Sequence, residues 1–244
     1  MPDVSILFYI LLFVVAFLYS SVGHGGASGY LALMALFSLP VGFMKSSSLL
    51  LNICVSFIAF ALYYRKVEFP WKLFITLALA SIPCAFLGGM MATNTVVYKQ
   101  ILGGILLVPA VRFMGIFPEK AGVQRTVSLP WAALIGAVIG LLSGMIGIGG
   151  GILLSPVLLL LGWATTKESA AMSALFIFLN SISAVLGMQA RGVEFNGNIL
   201  LLIAVAVVGG LLGAEFGSKR SNPLVLKRLL AVVLLIASIK LLVV

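Results

Sequence analysis

The sequence predicts an all-α polytopic membrane protein built as two inverted-topology repeats of about five segments each, with glycine-broken helices. Three observations carry this reading. Of 244 residues, 62% are hydrophobic and only 9% are charged, against roughly 25% charged in ordinary soluble domains. Apolar runs near membrane length recur along the chain, and in lipid a helix satisfies its backbone where an open strand cannot. Finally, three short motifs recur in the same order in the two halves. A soluble enzyme, a nucleic-acid module and a disordered tail all fit this composition poorly.

The apolar segments fall at about 4–22, 27–42, 46–64, 71–92 and 98–117. A polar stretch, 118–128, follows, and then segments at about 129–146, 150–163, 169–190, 197–216 and 224–243. The first resembles a signal peptide but carries only Asp3 ahead of Val22 and is long for an h-region, so it reads as a membrane helix. Segments two and seven are short and glycine-flanked, so either they cross or they are re-entrant. Cys54 and Cys84 sit in separate apolar runs with no CxxC and no neighbouring His, and they read as small core residues.

The repeat divides the chain into halves, 1–122 and 123–244. Gly23-His24-Gly25-Gly26 recurs as Gly147-Ile148-Gly149-Gly150, and Arg65-Lys66-Val67-Glu68-Phe69 recurs as Arg191-Gly192-Val193-Glu194-Phe195. Val97-Tyr98-Lys99-Gln100-Ile101-Leu102 recurs as Val225-Leu226-Lys227-Arg228-Leu229-Leu230. The second pair lies in loops, where chance similarity between apolar helices does not operate. The formal charge of +9 is explained by basic cytoplasmic loops. If all ten segments cross, Arg65, Lys66, Lys72, Arg112, Lys120, Arg125, Lys167, Lys219, Arg220, Lys227 and Arg228 share one side. Lys45, Lys99, Arg191 and Lys240 fall on the other. An odd number of crossings per half makes the repeats antiparallel.

Candidate site residues cluster at matching places in the halves. Gly23, His24, Gly25 and Gly26, with Gly147, Gly149 and Gly150, interrupt the helices, since each interior Gly costs about 1 kcal/mol relative to Ala. A helix restarting after such a break offers free N–H groups and the positive end of its dipole to an anion. Paired breaks of this kind mark midplane sites in inverted-repeat transporters. The alternative is close helix packing through small residues. Ser47, Ser48 and Asn52 open segment three, and Ser173 and Asn180 lie at related positions in segment eight. Their donors suit an oxyanion, but N-capping and interhelical hydrogen bonds are equally open to them. His24, the single histidine, is either structural or a proton-linked donor. The acids Asp3, Glu68, Glu119, Glu168, Glu194 and Glu215 lie near segment ends or in loops, which argues against a cation substrate and against a hydrolase.

With these paired motifs, Pro156 after the second, and Leu212-Gly213-Ala214 ahead of Arg220, the chain resembles the TauE/SafE family of permeases over nearly its whole length. The first half departs from the family pattern at Ala27-Ser28-Gly29 and at His24. The resemblance implies transport of small sulfur-containing anions such as sulfite, sulfoacetate or other organosulfonates. Composition and spacing alone reach only a small polar or anionic solute. The expectation is a secondary transporter of the bacterial inner membrane working by alternating access. Its partners would be the anion and the lipid bilayer, with no nucleic acid, cofactor, metal or catalytic residue. A channel or facilitator for another small anion or a neutral solute is the alternative. Oligomeric state, coupling ion and direction of transport stay open.

Overall fold

The computed structural model describes residues 5–21, 26–114, 127–193, 199–219 and 224–243. Among these there are ten α-helices and no strand. In order they are α1 (Ile6–Ser21), α2 (Ala27–Leu36), α3 (Val41–Tyr64), α4 (Trp71–Met90) and α5 (Thr95–Phe113). Then come α6 (Leu129–Ile146), α7 (Gly151–Leu161), α8 (Thr166–Ala190), α9 (Leu200–Lys219) and α10 (Leu224–Val243). Five of them, α3, α4, α6, α8 and α9, are long and apolar enough to cross a membrane by length and composition. With 10 and 11 residues, α2 and α7 are about 15–17 Å long, half of a hydrocarbon core of about 30 Å.

Where the short helices go is fixed by their contacts. Ser28 Oγ donates to Tyr19 Oη at 2.9 Å, Gly29 abuts Val15 and Tyr19, and the Phe8 and Phe37 rings meet edge to face at 5.2 Å. The chain therefore enters along α1, turns, and comes back along it as α2. Phe37-Ser38-Leu39-Pro40 then makes a tight turn, with Ser38 at φ 56 and Pro40 as N-cap of α3. Segment two was expected to run to 42; it ends at Leu36 because this apolar stretch is a turn. From there α3 runs alongside α1, and the Tyr63 hydroxyl donates to the Ser21 carbonyl at the far end.

Small residues let the helices approach backbone to backbone. On the α4–α6 seam, Gly136 faces the carbonyl of Leu77, Gly140 that of Ser81 and Gly144 that of Ala85, each too close for a Cβ. On the α1–α9 seam, Gly209 faces Phe13, Gly213 faces Phe17 and Gly217 faces Ser21 in the same way. Both registers advance in the same direction on both helices, so each pair is parallel. In the same sense, the Ser183 hydroxyl donates to Ile82 O and Gly187, one turn on, faces Phe86, so α4 and α8 are parallel as well. By contrast, α3 and α8 are antiparallel, because Leu49 packs with Ala184 and Val185 while Phe57 meets Phe178. The pairings α1–α9, α3–α9 and α2–α10 have counterparts in α6–α4, α8–α4 and α7–α5. In lipid, where apolar burial does not drive helix association, such close van der Waals seams do.

The two largest apolar clusters divide along these lines. One joins α1, α2, α3, α5, α9 and α10 and takes in Ile146, Ile148 and Ile152 around the second glycine break. The other joins α4, α6, α7 and α8. Local signals set several ends: Thr165 and Glu168 form a capping box for α8, and Asn94 Oδ1 accepts from Val96 N ahead of α5. The matching Arg65 and Arg191 terminate α3 and α8.

Candidate functional site

The second glycine break is where the structure gathers polar groups. Gly147, Gly149 and Gly150 have φ of 86, 75 and 78, left-handed values that L side chains rarely adopt. Gly147 ends α6, its N–H donating to Ser143 O at 2.8 Å. The fully buried Tyr98 of α5 donates its hydroxyl to Ile146 O at 2.7 Å, which occupies a carbonyl freed by the break. Gly150 caps α7 in the left-handed conformation with no side-chain cap. The opening amides of α7 therefore lack intrahelical acceptors, as at any helix start.

Side chains from three helices surround those amides. A methyl group on Gly149 would lie 2.9 Å from Asn52 Nδ2 of α3 and 3.1 Å from Ser181 Oγ of α8. One on Gly150 would lie 2.9 Å from Ile139 Cγ2 and Phe176 Cε1 and 3.3 Å from Ser143 Cβ of α6, and one on Gly151 would press on Ile177 and on Ser173 O of α8. Asn52 Nδ2 and Oδ1, Ser181 Oγ and Ser143 Oγ are all buried with no hydrogen-bond partner. Buried polar atoms are usually satisfied, and here four without partners lie beside the start of α7.

The other sequence candidates fall as follows. Gly26 is buried at φ 92 as N-cap of α2, against the Tyr30 ring, and the Tyr30 hydroxyl is buried there without a partner. Gly23, His24 and Gly25 lie outside the described residues. Ser47 and Ser48 are fully buried with unpartnered hydroxyls; because α3 starts at Val41, they are not N-caps. Ser173 is fully buried and shares a 2.7 Å hydrogen bond with Ser155. Asn180 Nδ2 donates to Phe176 O at 2.8 Å, while its Oδ1 has no partner. Asn52 and Gly149 are thus brought together directly, and Ser173 joins them through Gly151.

Three participants escaped the sequence reading. Ser143 and Ser181 look like ordinary small residues within apolar runs, and nothing local marks them. Lys45 was placed among the charges of a membrane face; instead it lies within the bundle, 8% exposed, with Nζ 3.4 Å from Gly88 O and its stem against Gly147. Lys99 and Lys240 do lie at one end of the bundle, where they line a cavity of about 270 Å³ beside the α2–α3 turn.

An all-helical bundle with five membrane-length apolar helices, and short broken helices beside a buried polar cluster, defines an integral membrane protein. The chain belongs to the TauE/SafE family: residues 8–241 match the family described as Sulfite exporter TauE/SafE. A probable membrane transporter protein, y4hK, of Sinorhizobium fredii (strain NBRC 101917 / NGR234) is 36% identical over 141 residues. That alignment covers 56% of this chain and 57% of the relative, so the chain spans little more than half the length of the relative it matches. No solved structure matches the chain significantly.

Proposed function

We propose that this protein is a secondary transporter of small sulfur-containing anions, such as sulfite, sulfoacetate or other organosulfonates, in the bacterial inner membrane. The observation that carries the reading is the unpartnered Asn52 amide beside Gly149, at the start of α7. Backbone N–H groups at a helix start, an amide and two hydroxyls favour an oxyanion without covalent or metal chemistry. Among the described residues no carboxylate is buried near these groups, so nothing there competes for a cation.

In this reading residues 1–122 and 123–244 are two repeats of inverted topology. Support comes from the parallel α4–α6 and α1–α9 seams, the antiparallel α3–α8 pair and the exchange of pairings between halves. Alternating access then follows from rocking of the seams around a fixed site. The test is uptake of labelled sulfoacetate into proteoliposomes. Saturable uptake, competed by sulfite, supports an anion carrier; flux that does not saturate and is indifferent to charge points to a facilitator for neutral solutes.

A further inference from the structure

We propose that the Lys45 ammonium is the fixed countercharge of the transported anion and makes the Gly149 site prefer a negative solute over a neutral one of the same shape. This rests on the reading that the site takes an oxyanion. Among the described residues, Lys45 is the one ionic side chain in the buried set. An ammonium within a membrane bundle is costly, and such groups face a partner, a cavity or a solute pathway. No carboxylate is buried with it among the described residues, and the bond it makes there is one long 3.4 Å contact to a carbonyl. A lysine ammonium has three donors, so this contact leaves most of its capacity unused.

Its placement gives that capacity a use. Lys45, Ser48 and Asn52 are spaced at i, i+3 and i+7 on α3, which puts them on one helical face over about 10 Å. The second glycine break lies along this stripe. A methyl on Gly147 would stand 3.0 Å from Lys45 Cγ, as one on Gly149 would stand 2.9 Å from Asn52 Nδ2. The stem of Lys45 therefore borders the strip of main chain that leads to the α7 amides. Its flexible four-carbon chain lets the ammonium exchange Gly88 O for an anion. Lys45 also lies nearer than Asn52 to the end of the bundle that carries Lys99 and Lys240. An anion arriving from that end meets Lys45 before it meets Gly149.

The experiment is calorimetric titration of the purified full chain in detergent with methanesulfonate and with its neutral isostere, dimethyl sulfone. Wild type, Lys45→Arg, Lys45→Gln and Lys45→Met are compared. Wild type is expected to prefer the anion, and Lys45→Gln to weaken methanesulfonate binding by about tenfold or more while sparing dimethyl sulfone. Lys45→Arg is expected to keep the preference with a changed affinity for the anion. A folded Lys45→Gln or Lys45→Met protein that keeps the wild-type ratio overturns the proposal and leaves the anion site standing. If neither neutral variant folds, wild type decides: dimethyl sulfone bound as tightly as methanesulfonate would overturn it. A wild type that does not bind methanesulfonate removes the anion site itself.

Discussion

Asn52, midway along α3, places its side-chain nitrogen 2.9 Å from where a Cβ of Gly149 would stand, although 97 residues separate the two in sequence. Only a residue without a Cβ permits this approach, and at φ 75 the backbone independently demands glycine. Replacement Gly149→Ala is therefore expected to cost about 1–2 kcal/mol in backbone strain alone and to abolish uptake. Gly104→Ala is the control: Gly104 has open space around its Cα and sits within α5, where Ala is favoured by about 1 kcal/mol. Thermal unfolding in detergent should separate the two in opposite directions.

The site's own unsatisfied groups predict a split between stability and activity. Both polar atoms of Asn52 are buried without partners. An apolar replacement of similar shape removes that cost. Asn52→Leu should leave the melting temperature unchanged or raised while lowering uptake at least about tenfold, as loss of a charge-assisted contact does. Ser238→Ala should do the reverse. Its hydroxyl donates to Gly103 O at 2.6 Å between α10 and α5, so its loss should cost about 1 kcal/mol and leave the KM for uptake unaltered. An Asn52→Leu protein that transports normally would show that the amide does not touch the solute.

The helix seams predict equal sensitivity in the two halves. Gly140 on α6 and Gly213 on α9 each face a backbone carbonyl at a separation no Cβ tolerates. Gly140→Ala and Gly213→Ala should each destabilise by about 1–3 kcal/mol, the range for overpacking a closed interface. Fluorescence-detected gel filtration after graded heating measures both. Tolerance at one seam with collapse at the other would contradict the correspondence between α4–α6 and α1–α9.

The return of α2 along α1 is open to direct test. In a Cys54→Ser, Cys84→Ser background, Phe8→Cys and Phe37→Cys should be joined by a short bismaleimide, because the two rings now touch. At this same C-terminal end of α2, Lys240 donates to Leu36 O at 2.8 Å and to Ser38 Oγ at 2.9 Å, compensating the negative end of that helix. Lys240→Met should cost about 0.3–1 kcal/mol and make the cross-link form less completely. Failure of the wild-type pair to cross-link would place α2 elsewhere.

Much of this architecture is legible in the sequence because membrane helices are written in long apolar runs and glycines punctuate them. The break at Gly147–Gly150 reads directly, since several glycines together cannot continue a helix. Other features are not written locally. The end of α2 is missed because Phe37-Ser38-Leu39-Pro40 is apolar enough to pass for a helix; only the Pro and the strained Ser38 mark the turn. Lys45 reads as a membrane-face charge because its neighbours Ser46, Ser47 and Ser48 are polar. What buries it is the distant approach of Gly88 and Gly147. Ser143 and Ser181 join the polar cluster only when α6 packs on α8 and α8 on α3, a tertiary event that leaves no trace in spacing.

The most direct measurement is the concentration dependence of labelled sulfoacetate uptake into proteoliposomes, wild type beside Gly149→Ala and Asn52→Leu. Saturable wild-type uptake, competed by sulfite and lost in both variants while both remain folded, is the expected result. Saturable uptake that survives both substitutions would contradict a solute site at the start of α7.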